Sequence, residues 1–340
     1  MASLRNGEPL RLTILEAYRD EIERGITRML AGEGPLRSLL RYHVGIENEH
    51  GQPDRANGKH LRPSLVLFVA DHLGDAVDRA LPSAVGLELV HAFSLIHDDI
   101  QDQDRTRRGR PAVWTLCGIA QAINAGDLMH TLAILSALES SPAAAACLLR
   151  ASQEMIEGQG MDLEFESRSV APSEYIEMID RKTGALLRCA FELGGIAAGA
   201  DDQDRAALVD LGRSVGRAFQ IKDDLLGIWG RDDVLGKATG SDIRRRKKSL
   251  PIVLLFDRVD AEVAERLTQA YAPTPDAEMP DADVSWVVDQ LNATDVRGTC
   301  EEMVQTHLDE ASARLAKLPL AAEATSDMTD LIGFLARRES

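Results

Sequence analysis

Polar and apolar positions repeat along most of the chain with the period of an α-helix. Ala, Leu, Glu and Arg dominate, β-branched runs are short, and only 4% of the residues are aromatic, a composition that favours helices. The pattern predicts helices over about residues 10–31, 62–75, 80–102, 112–138, 142–167, 173–198, 203–230, 249–258, 261–271, 296–316 and 320–338. We therefore predict an all-α fold.

The sequence shows no boundary between domains. The segment 272–281, which is rich in Pro and acidic residues, is the one clear loop. Composition does not shift elsewhere, and hydrophobic residues make up 44% of the 340 positions, enough for a sizeable core. We expect residues 1–340 to form a single antiparallel helical bundle with a central ligand cavity.

Charge and targeting signals narrow the class of protein. The formal net charge of −17 argues against nucleic acid or an anionic membrane surface as the main partner. The first residues lack the apolar core of a signal peptide, and no uninterrupted apolar run reaches membrane-spanning length. We expect a soluble, cytoplasmic protein that is not an integral membrane protein.

An acidic cluster, Asp98, Asp99 and Asp102, ends the apolar run 87–96. Asp98 and Asp102 are four residues apart, so on a helix they share one face about 6 Å apart along the axis. Their mutual repulsion is costly unless a cation lies between them, and Mg²⁺ prefers such oxygen ligands. For this cluster alone, a solvated helix end is the competing interpretation.

A second acidic cluster, Asp223 and Asp224, follows in another apolar helical context, and basic residues come soon after both clusters. These basic residues are Arg105, Arg107, Arg108, Lys237 and the run 244–248. Two carboxylate clusters facing one cavity would make a multi-metal site for a ligand such as a diphosphate. Metal-binding acids combined with phosphate-binding bases indicate ionisation or transfer of a diphosphate.

The order and spacing of these residues resemble the trans-isoprenyl diphosphate synthase family over about residues 55–255. The matching motifs are Gly58-Lys59-His60-Leu61-Arg62-Pro63, His97-Asp98-Asp99-Ile100-Gln101-Asp102 with Arg107-Arg108-Gly109, Lys182-Thr183, Phe219-Gln220 with Asp223-Asp224, and Gly236-Lys237 through Asp242 to Lys247. Gln159 and Asp162 resemble a further family pattern, with a structural or a catalytic role equally open. The resemblance implies an all-α prenyltransferase that joins isopentenyl diphosphate to an allylic diphosphate.

The resemblance also implies which residues bind the allylic diphosphate. Asp98 and Asp102, with Asp99 beside them, would hold two Mg²⁺ ions, and Asp223 with Asp224 a third. Fixed positive charge would come from four residues: Arg107, Lys182, Lys237 and Lys247. The Thr183 hydroxyl and the Gln220 amide would direct dipoles at the allylic cation, and the departing pyrophosphate would be the base.

A second pocket, for isopentenyl diphosphate, is implied by Lys59, Arg62 and Arg108, with His91 as a polar side chain nearby. Phe93, five residues before Asp98, would form the floor that stops the growing chain, and Ser94 beside it is small. This arrangement resembles a twenty-carbon, geranylgeranyl type of stop, with fifteen carbons as the next choice. The family also implies a homodimer.

One departure from the family motif concerns Gly227, which stands where the second acidic motif usually ends in an acid. Asp232 and Asp233 are near enough in sequence to compensate if the helix ends near Gly230.

Two competing functions remain. A class I terpene cyclase would not need Lys59, Arg62 and Arg108 and would need more aromatic residues, and a non-catalytic subunit would be expected to have lost an acidic cluster.

Overall fold

The computed structural model describes residues 13–54, 58–230, 240–272 and 278–337. Three residues singled out in the sequence, Asp232, Asp233 and Lys237, lie outside the described residues. The chain divides into two compact units, each of which is considered by itself below. The single domain over residues 1–340 stays a prediction.

Helices make up nearly all of the described chain, so the predicted all-α fold is confirmed. The helices are α1 (Thr13–Ala17), α2 (Arg19–Met29), α3 (Pro35–His43), α4 (Leu61–Gly74), α5 (Val77–Gln101), α6 (Val113–Cys117), α7 (Ile119–Ser140), α8 (Pro142–Phe165), α9 (Pro172–Ile179), α10 (Ala185–Ala198), α11 (Asp202–Trp229), α12 (Ser241–Arg244), α13 (Leu250–Arg258), α14 (Ala261–Ala270), α15 (Asp281–Ala293), α16 (Val296–Leu315) and α17 (Ala322–Arg337). The two strands, β1 (Thr106–Arg107) and β2 (Arg110–Pro111), form a short antiparallel hairpin.

The structure differs from the predicted helices at several places. The stretch predicted as one helix over 112–138 is broken at Gly118, whose φ of 80° is a conformation that suits glycine and ends a helix. The helix predicted over 10–31 is interrupted at Tyr18. Helices α3 and α15 were not predicted, although Val284, Val287 and Leu291 of α15 are buried at helical spacing.

Unit 1 comprises Met1–Arg150, Cys189–Ala206 and Pro319–Leu331. Its centre is α5, which packs against α4 and α7. The helices approach closely because a small residue lies between them: a Cβ on Gly86 would come within 2.6 Å of the Ala133 carbonyl oxygen. This packing fixes α5 against α7, and therefore fixes the end of α5 that carries the first acidic cluster.

Unit 2 comprises Ala151–Arg188, Ala207–Leu318 and Ile332–Ser340. Its core gathers buried side chains from α9, α11, α13, α15 and α16, with Ile221 and Leu225 of α11 among them. Both acids of the second cluster lie between these two apolar residues in the sequence. The apolar face of α11 therefore anchors the helix that carries Asp223 and Asp224.

A π-helical turn, Asp180–Gly184, joins α9 to α10. Glycines of the neighbouring helices allow close backbone approach there: a Cβ on Gly158 would lie 2.3 Å from the Lys182 nitrogen, and one on Gly216 would lie 3.1 Å from the Gly184 Cα. Lone π turns inside helices are rare and occur often at functional sites. This one carries both Lys182 and Thr183 of the predicted site.

Among the described residues, α5 alone is long and apolar enough to cross a membrane by length and composition. However, 61% of its most apolar window is buried inside the structure. Core helices pass the same test of length and composition, and α5 has the burial of a core helix.

Candidate functional site

The first acidic cluster closes helix α5. Asp98 and Asp99 lie in its last turn, and the amide of Asp102, the next residue after the helix, donates to the Asp98 carbonyl oxygen at 2.8 Å. Asp98 and Asp102 are therefore one helical turn apart, as the sequence predicts. Asp98 is half-buried and Asp102 is exposed, so solvent reaches both side chains.

Asp99 is buried and holds Arg107 in place. Arg107 Nε donates to Asp99 Oδ1 at 2.8 Å, and a second guanidinium nitrogen donates to the same oxygen. Burial raises the pKa of Asp99, against the opposing effect of Arg107. Its other oxygen, Oδ2, is buried without a hydrogen-bond partner. Asp99 thus ties Arg107 to the end of α5 and keeps one acceptor unused.

The β1–β2 hairpin positions Arg108. Arg108 and Gly109 form its two-residue turn with φ values of 52° and 73°, the conformation typical of such hairpins. The Arg108 guanidinium reaches Gly58, where one of its nitrogens lies 3.2 Å from the position a Cβ would take. Glycine at this position leaves room for the guanidinium. The hairpin thereby brings Arg108 beside the motif that contains Lys59, whose side chain is exposed.

His91 lies in the electrostatic field of two predicted ligands of isopentenyl diphosphate. Burial lowers its pKa well below the ordinary value, and the charges of Arg62 and Arg108 lower it further against the opposing effect of Glu88. His91 is therefore neutral near neutral pH. The structure thus brings Arg62, His91 and Arg108 together within unit 1.

Buried His60 and half-buried Glu88 form a pair that the sequence did not reveal. His60 Nδ1 lies 2.9 Å from Glu88 Oε1. Burial raises the pKa of Glu88, but the bond to His60 and the charges of His60, His91 and Arg62 outweigh it and lower the pKa to about 2. Glu88 is thus an ionised carboxylate close to His60, His91 and Arg62. Its spacing of three residues before His91 was the available signal in the sequence.

His43, the last residue of α3, is a second group that was missed. Burial, with the charges of Arg108 and Arg107, lowers the pKa of His43 to about 3, against a hydrogen bond with the Ala92 backbone. His43 also lines a small cavity with both arginines. No local motif could have identified it, because α3 itself was not predicted.

Phe93, the predicted floor of the product pocket, faces α7. Its ring centroid lies 4.8 Å from that of His130 and 5.4 Å, edge to face, from that of His97. Phe93 is buried, whereas Ser94 is half-buried and donates to the His91 carbonyl oxygen at 2.8 Å. The Phe93 ring is therefore held between two imidazoles.

Asp224 of the second cluster is buried at the centre of a hydrogen-bond network. Its Oδ2 accepts from the Tyr175 hydroxyl at 2.6 Å and the Leu250 amide at 3.2 Å, and its Oδ1 accepts from Gln220 Nε2 at 3.0 Å. Burial raises the pKa of Asp224 to about 6, although Lys247 and these donors lower it. Asp224 therefore links α9, α11 and α13, and a role as a metal ligand stays a prediction.

The π turn joins the same network. The Thr183 hydroxyl donates to Gln220 Oε1 at 2.7 Å, so a chain of hydrogen bonds runs from Thr183 through Gln220 to Asp224. Lys182 Nζ is paired with Asp162 Oδ2 at 2.5 Å. The structure thus joins Lys182 to the residue whose role the sequence left open, and Asp162 positions its ammonium group.

Lys247 is surrounded by carboxylates, including Asp223 of the second cluster. Part of the Lys247 side chain is exposed to solvent. Burial of the rest lowers its pKa, but the negative charges of Asp242, Asp224, Asp162 and Asp223 outweigh this effect and raise the pKa. Lys247 was the residue of the basic run predicted to bind the allylic diphosphate, and it lies near several acids of unit 2. Lys182, Gln220 and Lys247 are thus linked to the second cluster.

Among the described residues, no three side chains of His, Cys, Asp or Glu converge in a preformed metal site. The donor chemistry nevertheless suits a hard cation. Asp98 and Asp102 offer only carboxylate oxygens, and buried Asp99 Oδ2 beside them lacks a donor. Mg²⁺ usually keeps several waters and binds through one or two carboxylates plus substrate phosphates. The cluster therefore fits an ion that is completed by a diphosphate.

Comparison with known proteins places this geometry in context. The family model described as "Polyprenyl synthetase" matches residues 52–289. A (2E,6E)-farnesyl diphosphate synthase of Mycobacterium tuberculosis is 37% identical over 90% of this chain and 87% of its own length. A geranylgeranyl diphosphate synthase of the same organism is 36% identical with the same coverage. The crystal structure of a polyprenyl synthetase from Streptomyces coelicolor A3(2) has a TM-score of 0.88 and 34% identity, covering 95% of this chain and 98% of that one.

Proposed function

Since the chain belongs to the polyprenyl synthetase family, we propose that it joins isopentenyl diphosphate head-to-tail to an allylic prenyl diphosphate. The product is a short-chain, all-trans prenyl diphosphate, and pyrophosphate is released. The observation that carries this function is the similarity over 90% of the chain to synthases of farnesyl and geranylgeranyl diphosphate. The comparisons give no support to the terpene cyclase alternative.

The residues around Arg108 supply the binding site for isopentenyl diphosphate. Lys59, Arg62 and Arg108 bind its diphosphate as a cluster of positive charges, because guanidinium groups match phosphate oxygens in geometry and charge. Glu88, ionised and under the influence of Arg62, partly offsets the positive charge of this cluster. His91, neutral and half-buried, adds polarity without adding charge.

The acidic clusters, with Arg107, Lys182, Lys237 and Lys247, bind the allylic diphosphate. Up to three Mg²⁺ ions, held by residues of the two clusters, would neutralise negative charge on the departing pyrophosphate. Asp98 and Asp102 contribute ligands from α5, and Asp99 holds Arg107 beside them. Asp223 contributes from α11, and Asp162 positions Lys182.

The chemical step exchanges one bond for another. The allylic C1–O bond breaks, C1 bonds to C4 of isopentenyl diphosphate, and a proton leaves C2, so that a new double bond forms. Thr183 and Gln220 orient their dipoles toward the cationic carbon, and Asp224 fixes the Gln220 amide through its hydrogen bond. The departing pyrophosphate accepts the proton.

The buried ring of Phe93 limits the product to twenty carbons, with fifteen as the next choice. Its packing against His130 on α7 supports a rigid floor. We also expect a cytoplasmic homodimer. Support for the dimer comes from large apolar side chains exposed along α6 and α7: Leu116, Ile119, Ile123, Leu135 and Leu138.

The test is incubation with isopentenyl diphosphate, Mg²⁺ and each of the five-, ten- and fifteen-carbon allylic primers, followed by mass analysis. We expect elongated diphosphates that carry the isopentenyl carbons. Asp98→Ala and Asp223→Ala should each abolish most turnover, whereas Asp289→Asn, an exposed acid on α15, should leave it unchanged. Cyclic products formed without consumption of isopentenyl diphosphate would contradict the proposal.

A further inference from the structure

The π turn packs against helix α11 at three neighbouring places. A Cβ on Gly216 of α11 would lie 3.1 Å from the Gly184 Cα, so the two backbones nearly touch there. The Thr183 hydroxyl donates to Gln220 Oε1 at 2.7 Å, and Gln220 lies one helical turn after Gly216. Arg217, between these two residues of α11, makes the third contact.

An ion pair with two hydrogen bonds joins Arg217 to Asp180, the first residue of the π turn. Arg217 Nε donates to Asp180 Oδ1 at 2.8 Å, and Nη2 donates to Oδ2 at 2.5 Å. The side chains are only 28% and 19% exposed, so solvent screens this pair less than a surface pair. The bond to Asp180 is the largest cause that raises the pKa of Arg217. Two parallel bonds between planar groups fix the orientation of the Asp180 carboxylate as well as its position.

A second arginine holds the backbone of Asp180. Arg188 Nη1 donates to the Asp180 carbonyl oxygen at 2.8 Å, and Arg188 Nη2 pairs with Glu154 of α8. Arg188 lies in the first turn of α10. Gly184 leaves room for its guanidinium, because a Cβ at position 184 would lie 3.1 Å from Arg188 Nη1. The start of the π turn is therefore tied to α11 by a side chain and to α10 by a carbonyl oxygen.

Lys182, in the middle of the π turn, is held by a different helix. Its ammonium group pairs with Asp162 of α8 at 2.5 Å, and a Cβ on Gly158 of α8 would lie 2.3 Å from the Lys182 nitrogen. The Thr183 hydroxyl bonds instead to α11, the helix that carries Arg217. A change at Arg217 should therefore displace Thr183 more than Lys182.

We propose that Asp180 and Arg217 form a positioning pair, which holds the π turn against α11 so that the Thr183 hydroxyl stays on the Gln220 amide. Both residues act through Thr183 rather than on the substrate. The inference rests on the proposed function, in which Thr183 and Gln220 direct their dipoles at the allylic cation. A dipole stabilises developing charge only while it is aligned with it. The pair should therefore affect the chemical step and not the binding of isopentenyl diphosphate.

The kinetic test changes the geometry of the pair and keeps its charge. Arg217→Lys cannot form both bonds of the planar guanidinium. It should lower the single-turnover rate by about 10–100-fold, as small misplacements of catalytic groups do, and leave KM for isopentenyl diphosphate unchanged. Asp180→Asn should have the same effect. Arg213→Lys is the matched control, because Arg213 is an arginine of α11 that pairs with Asp210 outside the π turn. Wild-type rates in both pair variants would overturn the proposal.

A double-mutant cycle separates positioning from general destabilisation. Thr183→Val removes the hydroxyl and keeps a branched side chain of similar size. If Arg217 acts through Thr183, Arg217→Lys should cause almost no further loss of rate in the Thr183→Val background, because residues that act as a unit are not additive. An equal loss in both backgrounds would refute the proposal, since Arg217 would then act without the hydroxyl.

Amide hydrogen exchange tests the same contact without any activity. In the substrate-free protein, peptides that span Asp180–Gly184 should exchange about 10-fold faster in Arg217→Met than in the wild type, because the turn loses a charge-assisted tie. Arg213→Met should exchange there at the wild-type rate. Unchanged exchange in Arg217→Met would contradict the positioning role. Absence of prenyl products from the wild-type protein would refute the proposed function instead, and the exchange result alone would then decide whether the pair holds the turn.

Discussion

The Tyr175 hydroxyl offers a direct measurement of the network around Asp224. Tyr175→Phe removes one oxygen atom from a buried ring and leaves the packing volume nearly unchanged. The lost bond, 2.6 Å long, ends on a carboxylate that is only 1% exposed. Hydrogen bonds to charged groups contribute about 1.5–3 kcal/mol. We therefore expect a loss of that size in the free energy of unfolding when Asp224 is ionised.

The size of this loss should depend on pH, because burial raises the pKa of Asp224 to about 6. A carboxyl group with a raised folded-state pKa destabilises the fold when ionised, and this cost disappears as the pH falls through about 6 toward the ordinary range near 4. Below that pKa the Tyr175 bond joins two neutral groups and contributes about 0.5–1.5 kcal/mol. The variant should thus lose more stability at about pH 8 than at about pH 5.

Urea unfolding followed by circular dichroism at both pH values gives these free energies. Tyr271→Phe is the matched control, because the Tyr271 hydroxyl is buried in the same unit without a hydrogen-bond partner. Its removal should be neutral or stabilising. The reasoning fails if Tyr175→Phe costs less than about 0.5 kcal/mol, if its cost is equal at the two pH values, or if Tyr271→Phe costs as much.

Three further substitutions probe unit 1. Glu88→Gln should lower the free energy of unfolding by about 1–3 kcal/mol near neutral pH, because folding lowers the Glu88 pKa from 4.5 to about 2. This contribution is present above pH 4.5 and is lost as the pH falls toward 2, so urea unfolding should show a smaller penalty at pH 3 than at neutral pH. Equal penalties at the two pH values would contradict this account. Phe93→Ala should lengthen the product in mass analysis, and an unchanged product would remove Phe93 as the floor. Arg108→Ala should raise KM for isopentenyl diphosphate far more than for the allylic substrate in steady-state assays; equal increases would contradict the assignment to separate pockets.

Local periodicity predicted the parts of the site that lie within single helices. Asp98 and Asp102 share a face of α5 because four residues nearly complete a helical turn. The placement of Arg108 beside Gly58 could be suspected from the family motifs, but its cause is the hairpin turn at Arg108 and Gly109. A two-residue strand leaves almost no hydrophobic pattern in the sequence, so this element could not be predicted from periodicity.

Contacts between distant segments could not be predicted in the same way. The Asp242 carboxylate lies beside Gly227, with Oδ2 2.2 Å from the position a Cβ would take. It lies there because the chain returns to α11 at Gly240, whose amide donates to the Ile228 carbonyl oxygen. His43 meets the arginines from a helix that was not predicted. Its partners come from the hairpin, so no pattern near His43 reveals them.

The π turn at Asp180–Gly184 changes the directions in which side chains point between α9 and the first turn of α10. Each residue of an α-helix advances the direction of the side chains by about 100°. A π turn uses more residues for one rotation than an α-helix does, so the residues after it point in other directions than unbroken α-helical spacing would give. The irregularity therefore sets the angular register between the residues before it and those after it, which a smoother helix could not reproduce.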